Sequence, residues 1–270
     1  MQNIALLFTI IVFVLAFGLL LLVLFRILEH CYGLLFDKPV FVHFCPFPKK
    51  INPIAIDFLT NEFTFYNNLS DKNKVYFEHR VARFLDNYQF VSRDSFVITE
   101  EVKVHIAATI TMLSFGMRKY LCDVFDKIII YPSVYYSNLS KQFHKGEFNP
   151  NAKAVVFSWE DFQKGFDISN DNLNLGIHEF AHVLHHQGLR SNDISALLFA
   201  RMYTEINEEV SVPKVREQLI ASEYFRIYAF TNQFEFLAVI LENFFETPLE
   251  FKKQFPDLYY KVSLMLNQKH

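Results

Sequence analysis

The first hydrophobic pattern along the chain is an uninterrupted apolar run near its N-terminus. Residues 4–25 contain no charged side chain. A helix of that length spans roughly 33 Å, close to the ~30 Å hydrocarbon core of a bilayer. The sequence therefore predicts a transmembrane anchor over residues 1–28. A cleaved signal peptide is the alternative, and it is disfavoured because no Lys or Arg precedes the run and no small-x-small cleavage site follows it.

Positive charge lies after this apolar run rather than before it. Four basic residues follow the run, namely Arg26, Lys38, Lys49 and Lys50. This bias predicts a single-pass membrane protein whose C-terminal part faces the cytoplasm. Residues 29–53 contain four prolines, which favours a juxtamembrane linker. We expect one compact domain over residues 54–270.

Within that domain, apolar positions recur first at helical spacing. Ser70 and Thr99 are suited to cap two such helices. Two short β-rich runs follow at residues 128–131 and 154–158. From Trp159 onward the pattern is nearly all helical. We therefore predict an α+β fold that is mostly helical with a small mixed sheet.

Composition narrows the possible functions. Hydrophobic residues make up 51% of the chain, enough for a large core. The net charge of −3 provides no basic surface of the kind that phosphate contacts need, so nucleic acid is not an expected partner. The three cysteines lack CxxC spacing, which argues against a disulfide framework or a zinc ribbon.

Residues 178–182 read His-Glu-Phe-Ala-His, which matches the HExxH pattern of zinc peptidases. Asn170 or Asp171 is suited to cap a helix that carries this segment. The same helix is expected to end near Gly188. The motif is therefore predicted to lie on a helix, as its chemistry requires.

The four-residue spacing places the His178 and His182 imidazoles on one face of that helix, about 6 Å apart along its axis. Both rings can then bind one tetrahedral Zn²⁺ ion. Glu179 projects about 100° away from them, toward a zinc-activated water molecule. It is predicted to accept the proton of that water as the general base in peptide-bond hydrolysis.

The third metal ligand has to come from elsewhere in the chain, because His186 lies about 12 Å along the helix from His178. The candidates are Glu205, Glu208, Glu209, Glu217, Glu223, Glu235, Glu242 and Glu246. Glu235 is favoured because it lies in an apolar run, where an unpaired carboxylate is costly to bury. Asn232 and Glu235 also fit a capping box at a helix start. Glu242 could alternatively orient a ligating imidazole.

These residues make the chain resemble the Mlc titration factor A family of zinc-dependent peptidases, over roughly residues 70–267. The motif at 178–182 and the block 228–239 carry most of the resemblance. Shorter matches are Ile-Ala-Ala at 106–108, Ile-Tyr-Pro at 130–132 and Val-Val-Phe-Ser-Trp at 155–159.

The resemblance implies a zincin-like metallopeptidase domain of gluzincin type. It assigns His178, His182 and Glu235 as zinc ligands and Glu179 as the general base. It further implies that Tyr228 is catalytic, with its phenol near the tetrahedral intermediate. Without the resemblance, Tyr228 is more typical of a core residue. The family also implies a regulatory protein partner, because its members bind a glucose-responsive repressor.

We therefore predict a membrane-anchored, zinc-dependent metallopeptidase that acts on peptides or unstructured protein segments. The strand at 154–158 is expected to hold an extended substrate by strand addition. The alternative is a membrane-tethered regulator that sequesters a transcriptional regulator or another partner, with little or no peptidase role. Glu179 favours the enzyme, because a purely structural metal site needs no base.

Overall fold

The computed structural model describes residues 2–137, 141–168 and 170–268. The helices are α1 Gln2–Phe36, α2 Pro53–Glu62, α3 Thr64–Asn67, α4 Asp71–Asn87, α5 Glu100–Leu113, α6 Trp159–Asp167, α7 Leu175–Gly188, α8 Ile194–Val210, α9 Pro213–Ala221, α10 Gln233–Glu246, α11 Pro248–Gln254 and α12 Pro256–Leu266. A short 3-10 helix covers Ile227–Phe230. The strands are β1 Gln89–Ser92, β2 Lys127–Tyr131, β3 Tyr135–Ser137, β4 Gln142–His144, β5 Gly146–Asn149 and β6 Ala154–Ser158.

The main sheet has four strands in the order β1-β2-β6-β5. β1, β2 and β6 are parallel, and β5 pairs antiparallel with β6. The predicted architecture, mostly helical with a small mixed sheet, is confirmed. β6 lies between two strands and all five of its residues are buried, as expected for an apolar strand in the middle of a sheet. β3 and β4 form a separate two-stranded hairpin.

The two predicted caps before the motif are confirmed. The Ser70 hydroxyl accepts a hydrogen bond from the backbone of Asn73 at the start of α4. The Thr99 hydroxyl accepts one from Val102 at the start of α5. Each bond satisfies a backbone donor that has no partner within its own helix. Both β-rich runs are strands, whereas β5 was not predicted, because Gly-Glu-Phe-Asn lacks a β pattern.

The predicted cap of the motif helix is wrong by about one turn. Asn174 caps α7, and its side chain accepts a hydrogen bond from the backbone of Ile177. Asp171 instead accepts a bond from Leu173, and Asn172 has a positive φ of 55°. A left-handed residue at 172 prevents the helix from beginning earlier. The predicted end of the helix near Gly188 is confirmed.

The N-terminal apolar helix continues past residue 28, where the predicted anchor ends. Its last turns contact the domain. The buried Glu29 carboxylate pairs with Arg118, and Gly33 lies against the Ile194 side chain of α8. The chain between α1 and α2 also contacts the domain, because the buried Arg80 guanidinium donates to backbone and side-chain atoms of that segment.

The motif helix α7 lies in the middle of the core. It packs against α5, α8 and α10 on its helical side and against β5 and β6 on its sheet side. Phe180 of α7 is fully buried and contacts the Phe157 ring of β6. A helix held on so many sides presents its remaining polar face at a fixed position.

Candidate metal centre

The face of α7 that is not covered by the core carries the two motif histidines. His178 and His182 are partly exposed, with 12% and 19% of their side-chain surface accessible. Their ring centroids are 4.9 Å apart. Buried apolar residues of α7 fix the helix on its other sides, so the two imidazoles point out of the core together.

Helix α10 brings an acidic side chain to the same point. The Asn232 side chain caps α10 by accepting hydrogen bonds from the backbone of Phe234 and Glu235. Glu235 is therefore the third residue of the helix, where a carboxylate also interacts favourably with the helix dipole. Because α10 packs along α7, the carboxylate lies directly beside the histidines.

Three donor atoms converge. Oε2 of Glu235 lies 3.0 Å from Nε2 of His178 and 3.8 Å from Nε2 of His182. Two ligands at 2.0–2.1 Å from one tetrahedral ion would be separated by about 3.3 Å. The same oxygen is buried. Two imidazole nitrogens and one carboxylate oxygen are a donor set that suits a divalent transition metal such as zinc.

A buried carboxylate contacts the Nδ1 side of the His178 ring. Its Nδ1 lies 2.8 Å from Oε1 of Glu242, whose side chain is only 1% exposed. Arg226 forms an ion pair with both oxygens of Glu242. This arrangement fixes the ring orientation and leaves Nε2, on the side of Glu235, as the nitrogen that can bind a metal. The contact that the sequence suggested for Glu242 is therefore present.

The carboxylates around His178 favour a positive charge at this position, carried either by the protonated ring or by a metal ion. Burial lowers the pKa of this imidazole, but the nearby Glu235 and Glu242 carboxylates outweigh that effect and raise the pKa to about 10. Protonation and metal binding compete for the same ring nitrogen. By contrast, burial and the neighbouring His178 charge lower the pKa of His182 to about 4, which favours the neutral imidazole that a metal requires.

Glu179 lies on the sheet side of the two histidines and is 6% exposed. Burial raises the pKa of this carboxyl to about 7, helped by the Glu235 charge and opposed by His178 and by a hydrogen bond from the Phe148 backbone N–H. A carboxylate with a pKa near neutrality is suited to accept and return protons at physiological pH.

Tyr228 borders the same group of side chains. Its ring centroid is 6.1 Å from that of His178, and its side chain is 46% exposed. Burial raises the pKa of Tyr228 to about 12, together with the neighbouring Glu235 carboxylate. The hydroxyl therefore stays protonated at neutral pH and acts as a hydrogen-bond donor, with Glu235 as its acceptor here.

Comparison with known proteins agrees with this chemistry. The model of the glucose-regulated metallo-peptidase M90 family matches residues 46–266. The chain belongs to this family. The resemblance to Mlc titration factor A is thereby confirmed, and the match begins well before residue 70, where the sequence resemblance begins. As a metallopeptidase family, M90 implies a metal ion, and the cluster of His178, His182 and Glu235 is a possible site for it.

Relatives of this M90 chain cover most of its length. It is 25% identical over 237 residues to protein slr2042 of Synechocystis sp., covering 79% of this chain and 83% of the relative. It is 23% identical over 194 residues to Mlc titration factor A of Yersinia pestis, covering 66% of this chain and 71% of the relative. The same values hold for Mlc titration factor A of Yersinia pseudotuberculosis.

An open cavity of about 500 Å³ adjoins His178. Its lining includes Glu179, Tyr228 and Arg226, together with residues of β4, α6 and the start of β5. The wall includes charged residues of both signs, among them Lys145 and Asp161, which pair with each other. A segment of a peptide chain fits a cleft of this size.

Several other histidines and glutamates near the motif in sequence have partners outside this cluster. His185 packs against Tyr203 and Phe234. Glu205 and Glu209 pair with Arg201 and Lys261, respectively. Among the described residues, the only group of three potential ligands close enough to share an ion is that of His178, His182 and Glu235.

Sequence reasoning missed two residues of this centre. Arg226 holds Glu242 by its ion pair, and Gly146 lies directly against the Glu179 side chain. Neither lies in the motif. No sequence pattern indicated Gly146, because it is the first residue of a strand that was not predicted. Arg226 lies two residues before Tyr228, just outside the block that carries the resemblance.

Proposed function

We propose that this chain is a zinc-dependent peptidase with a zincin-like fold, anchored to a membrane by α1. The observation that carries the proposal is the convergence of His178, His182 and Glu235 beside the buried Glu179 carboxyl. A metal-binding role accounts for the three donors, and hydrolysis accounts for the buried Glu179 carboxyl beside them.

In this proposal His178, His182 and Glu235 hold Zn²⁺, and Glu242 with Arg226 fixes the His178 ring. When bound, zinc supplies Lewis acidity, which lowers the pKa of water and polarises a carbonyl group. Zinc is favoured over magnesium or calcium because two of the three donors are imidazoles. The carboxylate makes the site one of the His₂Glu type that catalytic zinc uses.

Glu179 and Tyr228 carry out the proton transfer and the oxyanion stabilisation of the proposed reaction. Glu179 accepts a proton from the attacking water and passes it to the amine that leaves when the peptide bond breaks. The Tyr228 hydroxyl, protonated at neutral pH, donates a hydrogen bond to the oxyanion that develops on the carbonyl. Its partial exposure lets it reach a substrate in the cavity.

The substrate strand proposed from sequence needs a correction. β6 cannot add a strand, because β2 and β5 already occupy its two edges. β1 and β5 are the two edge strands of the sheet, and the first residue of β5, Gly146, lies against Glu179. We therefore place an extended peptide or unstructured protein segment along β5, where main-chain hydrogen bonds can hold it over the metal site.

The anchor proposal rests on α1. Its 34-residue apolar span has no buried residues in its most hydrophobic window, so this surface needs an apolar environment. A signal sequence has the same composition, but cleavage after the span would remove the buried Glu29 carboxylate from Arg118. This contact favours a helix that stays attached. The basic residues after the span favour a cytoplasmic domain.

Comparing two variants tests the hydrolytic mechanism. Glu179→Gln should retain the metal and lose at least a hundredfold in peptide turnover, because the amide cannot accept the proton. His182→Ala should lose the metal itself. Turnover on an unstructured peptide library and metal content are measured on the same full-length preparations. Equal turnover by wild type and Glu179→Gln would contradict the peptidase proposal.

A second function is suggested by the relatives' names. Mlc titration factor A is named as a factor rather than as an enzyme, which favours a membrane-tethered regulator that binds a protein partner. This alternative predicts that a partner captured by wild type is captured equally by Glu179→Gln and that no substrate is cleaved. The peptidase proposal predicts that the inactive variant accumulates uncleaved substrate.

A further inference from the structure

The segment between α1 and α2 carries aromatic side chains that point away from the domain. Phe47 is 87% exposed and Phe44 is 81% exposed, the two highest values among the large hydrophobic residues that the structure describes. Val40 is also exposed, and Lys49 and Lys50 follow after Pro48, Lys49 forming an ion pair with Asp86. A single exposed apolar residue is ordinary, but a short segment that exposes several beside basic residues is typical of a membrane-surface contact.

The structure also gives the depth of this segment relative to the apolar span. Arg118 pairs with Glu29 of α1 and lies 5.1 Å from the centroid of the Phe41 ring. Glu29 is four residues past Phe25, or about 6 Å along the helix axis. The headgroup layer extends roughly 5–8 Å beyond the hydrocarbon core on each side. After α1 the chain therefore turns back, which brings Phe41 near the level of the headgroups.

A cavity of about 240 Å³ lies beneath these aromatic residues. Its wall includes Phe41, Phe44, His79, Arg80 and Tyr120. The Arg80 guanidinium donates to the backbone carbonyls at the end of α5 and beyond, at distances of 2.9–3.0 Å. No carboxylate of the described residues pairs with it, so its positive charge is not neutralised by a neighbour.

The other charged groups near the cavity do not cancel this charge. Burial and then the nearby cations lower the pKa of His43 to about 3 and also lower that of His79, so both rings are neutral at pH 7. Arg118 is already paired with two carboxylates. Of the two guanidinium groups that line the cavity, Arg80 is therefore the one without a carboxylate partner among the described residues, and such a cation suits the phosphate of an anionic lipid.

We propose that residues 38–50 form a second membrane contact, with Phe44 and Phe47 in the headgroup layer and an anionic phospholipid headgroup at the mouth of the Arg80 cavity. This inference rests on the proposed anchoring by α1. It adds that the domain lies directly on the bilayer in one orientation, instead of moving freely on a linker. The candidate metal centre is then held at a fixed position relative to the membrane.

Tryptophan substitutions in the full-length chain test the contact. F44W and F47W are made in a Trp159→Phe background, which leaves one indole per chain, and L249W is the matched control, because Leu249 is 80% exposed on α11. Each variant is reconstituted into phosphatidylcholine nanodiscs with or without phosphatidylglycerol, and brominated lipids serve as quenchers. We expect at least twofold quenching and a blue-shifted emission for F44W and F47W, with L249W little affected.

The outcomes separate this inference from the anchor. If F44W and F47W emit like L249W while the chain stays in the nanodisc, the second contact is overturned and the anchor stands; the aromatic segment would then be free for a protein partner. If the chain fails to enter nanodiscs, the anchor proposal fails first. Stronger F44W quenching with phosphatidylglycerol supports the anionic headgroup, and equal quenching in both lipids overturns that part.

Discussion

At the residue scale, Gly146 lies where no side chain fits. A Cβ atom added there would lie 2.8 Å from Oε1 of Glu179 and 2.7 Å from Cδ1 of Leu175, both closer than Cβ atoms approach other atoms. Gly146→Ala therefore has to displace the proposed base. We expect at least a tenfold loss of peptide turnover with unchanged metal content, because no candidate ligand touches Gly146.

Gly18→Ala is the matched control for this prediction. The same substitution at Gly18 meets no atom within 4 Å and should leave turnover as in wild type. Parallel assays of turnover and bound metal distinguish a displaced base from a lost ion. Full activity of Gly146→Ala would show that the Glu179 position is not critical.

Glu242 acts at the same scale but on metal binding. Its Oε1 accepts from Nδ1 of His178 at 2.8 Å, and acceptors of this kind typically contribute 10–100-fold to metal affinity. We expect Glu242→Gln to weaken zinc binding by about tenfold, measured by competition with a chromophoric chelator. Glu246→Gln, one turn later on α10, is the control and should leave the affinity unchanged. Equal affinities for both variants would remove Glu242 from the site.

The candidate ligands could be predicted from sequence, and their neighbours could not. His178, Glu179 and His182 follow from a spacing within one helix, and Glu235 from the cost of burying a carboxylate. Gly146 and Arg226 act through close approach between elements that are distant in sequence. Such contacts depend on the complete fold, so no local pattern indicates them.

At the element scale, the start of α10 couples stability to the metal centre. Asn232 caps this helix, and replacing such a cap by alanine costs about 1 kcal/mol. Glu235 lies in the turn that the cap holds. We expect Asn232→Ala to lower the free energy of unfolding by about 1 kcal/mol and also to weaken metal binding several-fold.

Ser70→Ala separates the two effects of the Asn232 substitution. Ser70 caps α4, which contributes no candidate ligand, so its loss should lower stability to a similar extent without changing metal affinity. Chemical denaturation and metal titration of both variants give the comparison. A similar loss of metal affinity in both variants would indicate a general effect of instability.

Elements with a strong periodic pattern were predictable, and short edge elements were not. α4, α5, α7, β2 and β6 follow from caps and apolar runs. β5 has no apolar alternation, because it is an edge strand with all four residues only partly buried. The sequence therefore indicated the central strand, β6, as the substrate partner, although hydrogen-bonding capacity is free at the two edges of the sheet, on β1 and on β5.

At the scale of the whole molecule, buried histidines make stability depend on pH. His105 is almost fully buried among aromatic rings, and burial lowers its pKa to about 3. In the unfolded chain its pKa is about 6.5. Between these values the unfolded state binds one more proton, so stability is retained above pH 6.5 and is lost as pH falls. The slope for one histidine is at most about 1.4 kcal/mol per pH unit.

His105→Phe removes the imidazole that takes up a proton on unfolding, and it retains an aromatic ring at the same position. We expect the free energy of unfolding of the variant to depend less on pH between about 6.5 and 3 than that of wild type, by roughly one proton. Urea denaturation at a series of pH values measures the slope. Identical slopes for variant and wild type would contradict the neutral, buried state of His105.

The proposed function depends on the binding of one metal ion by His178, His182 and Glu235. Zinc X-ray absorption on the full-length, zinc-loaded chain measures this coordination, with Glu235→Ala as the comparison. We expect two imidazole nitrogens and a carboxylate oxygen at about 2.0–2.1 Å, with the carboxylate oxygen lost in the variant. A spectrum without two imidazoles, or one that Glu235→Ala leaves unchanged, would contradict it.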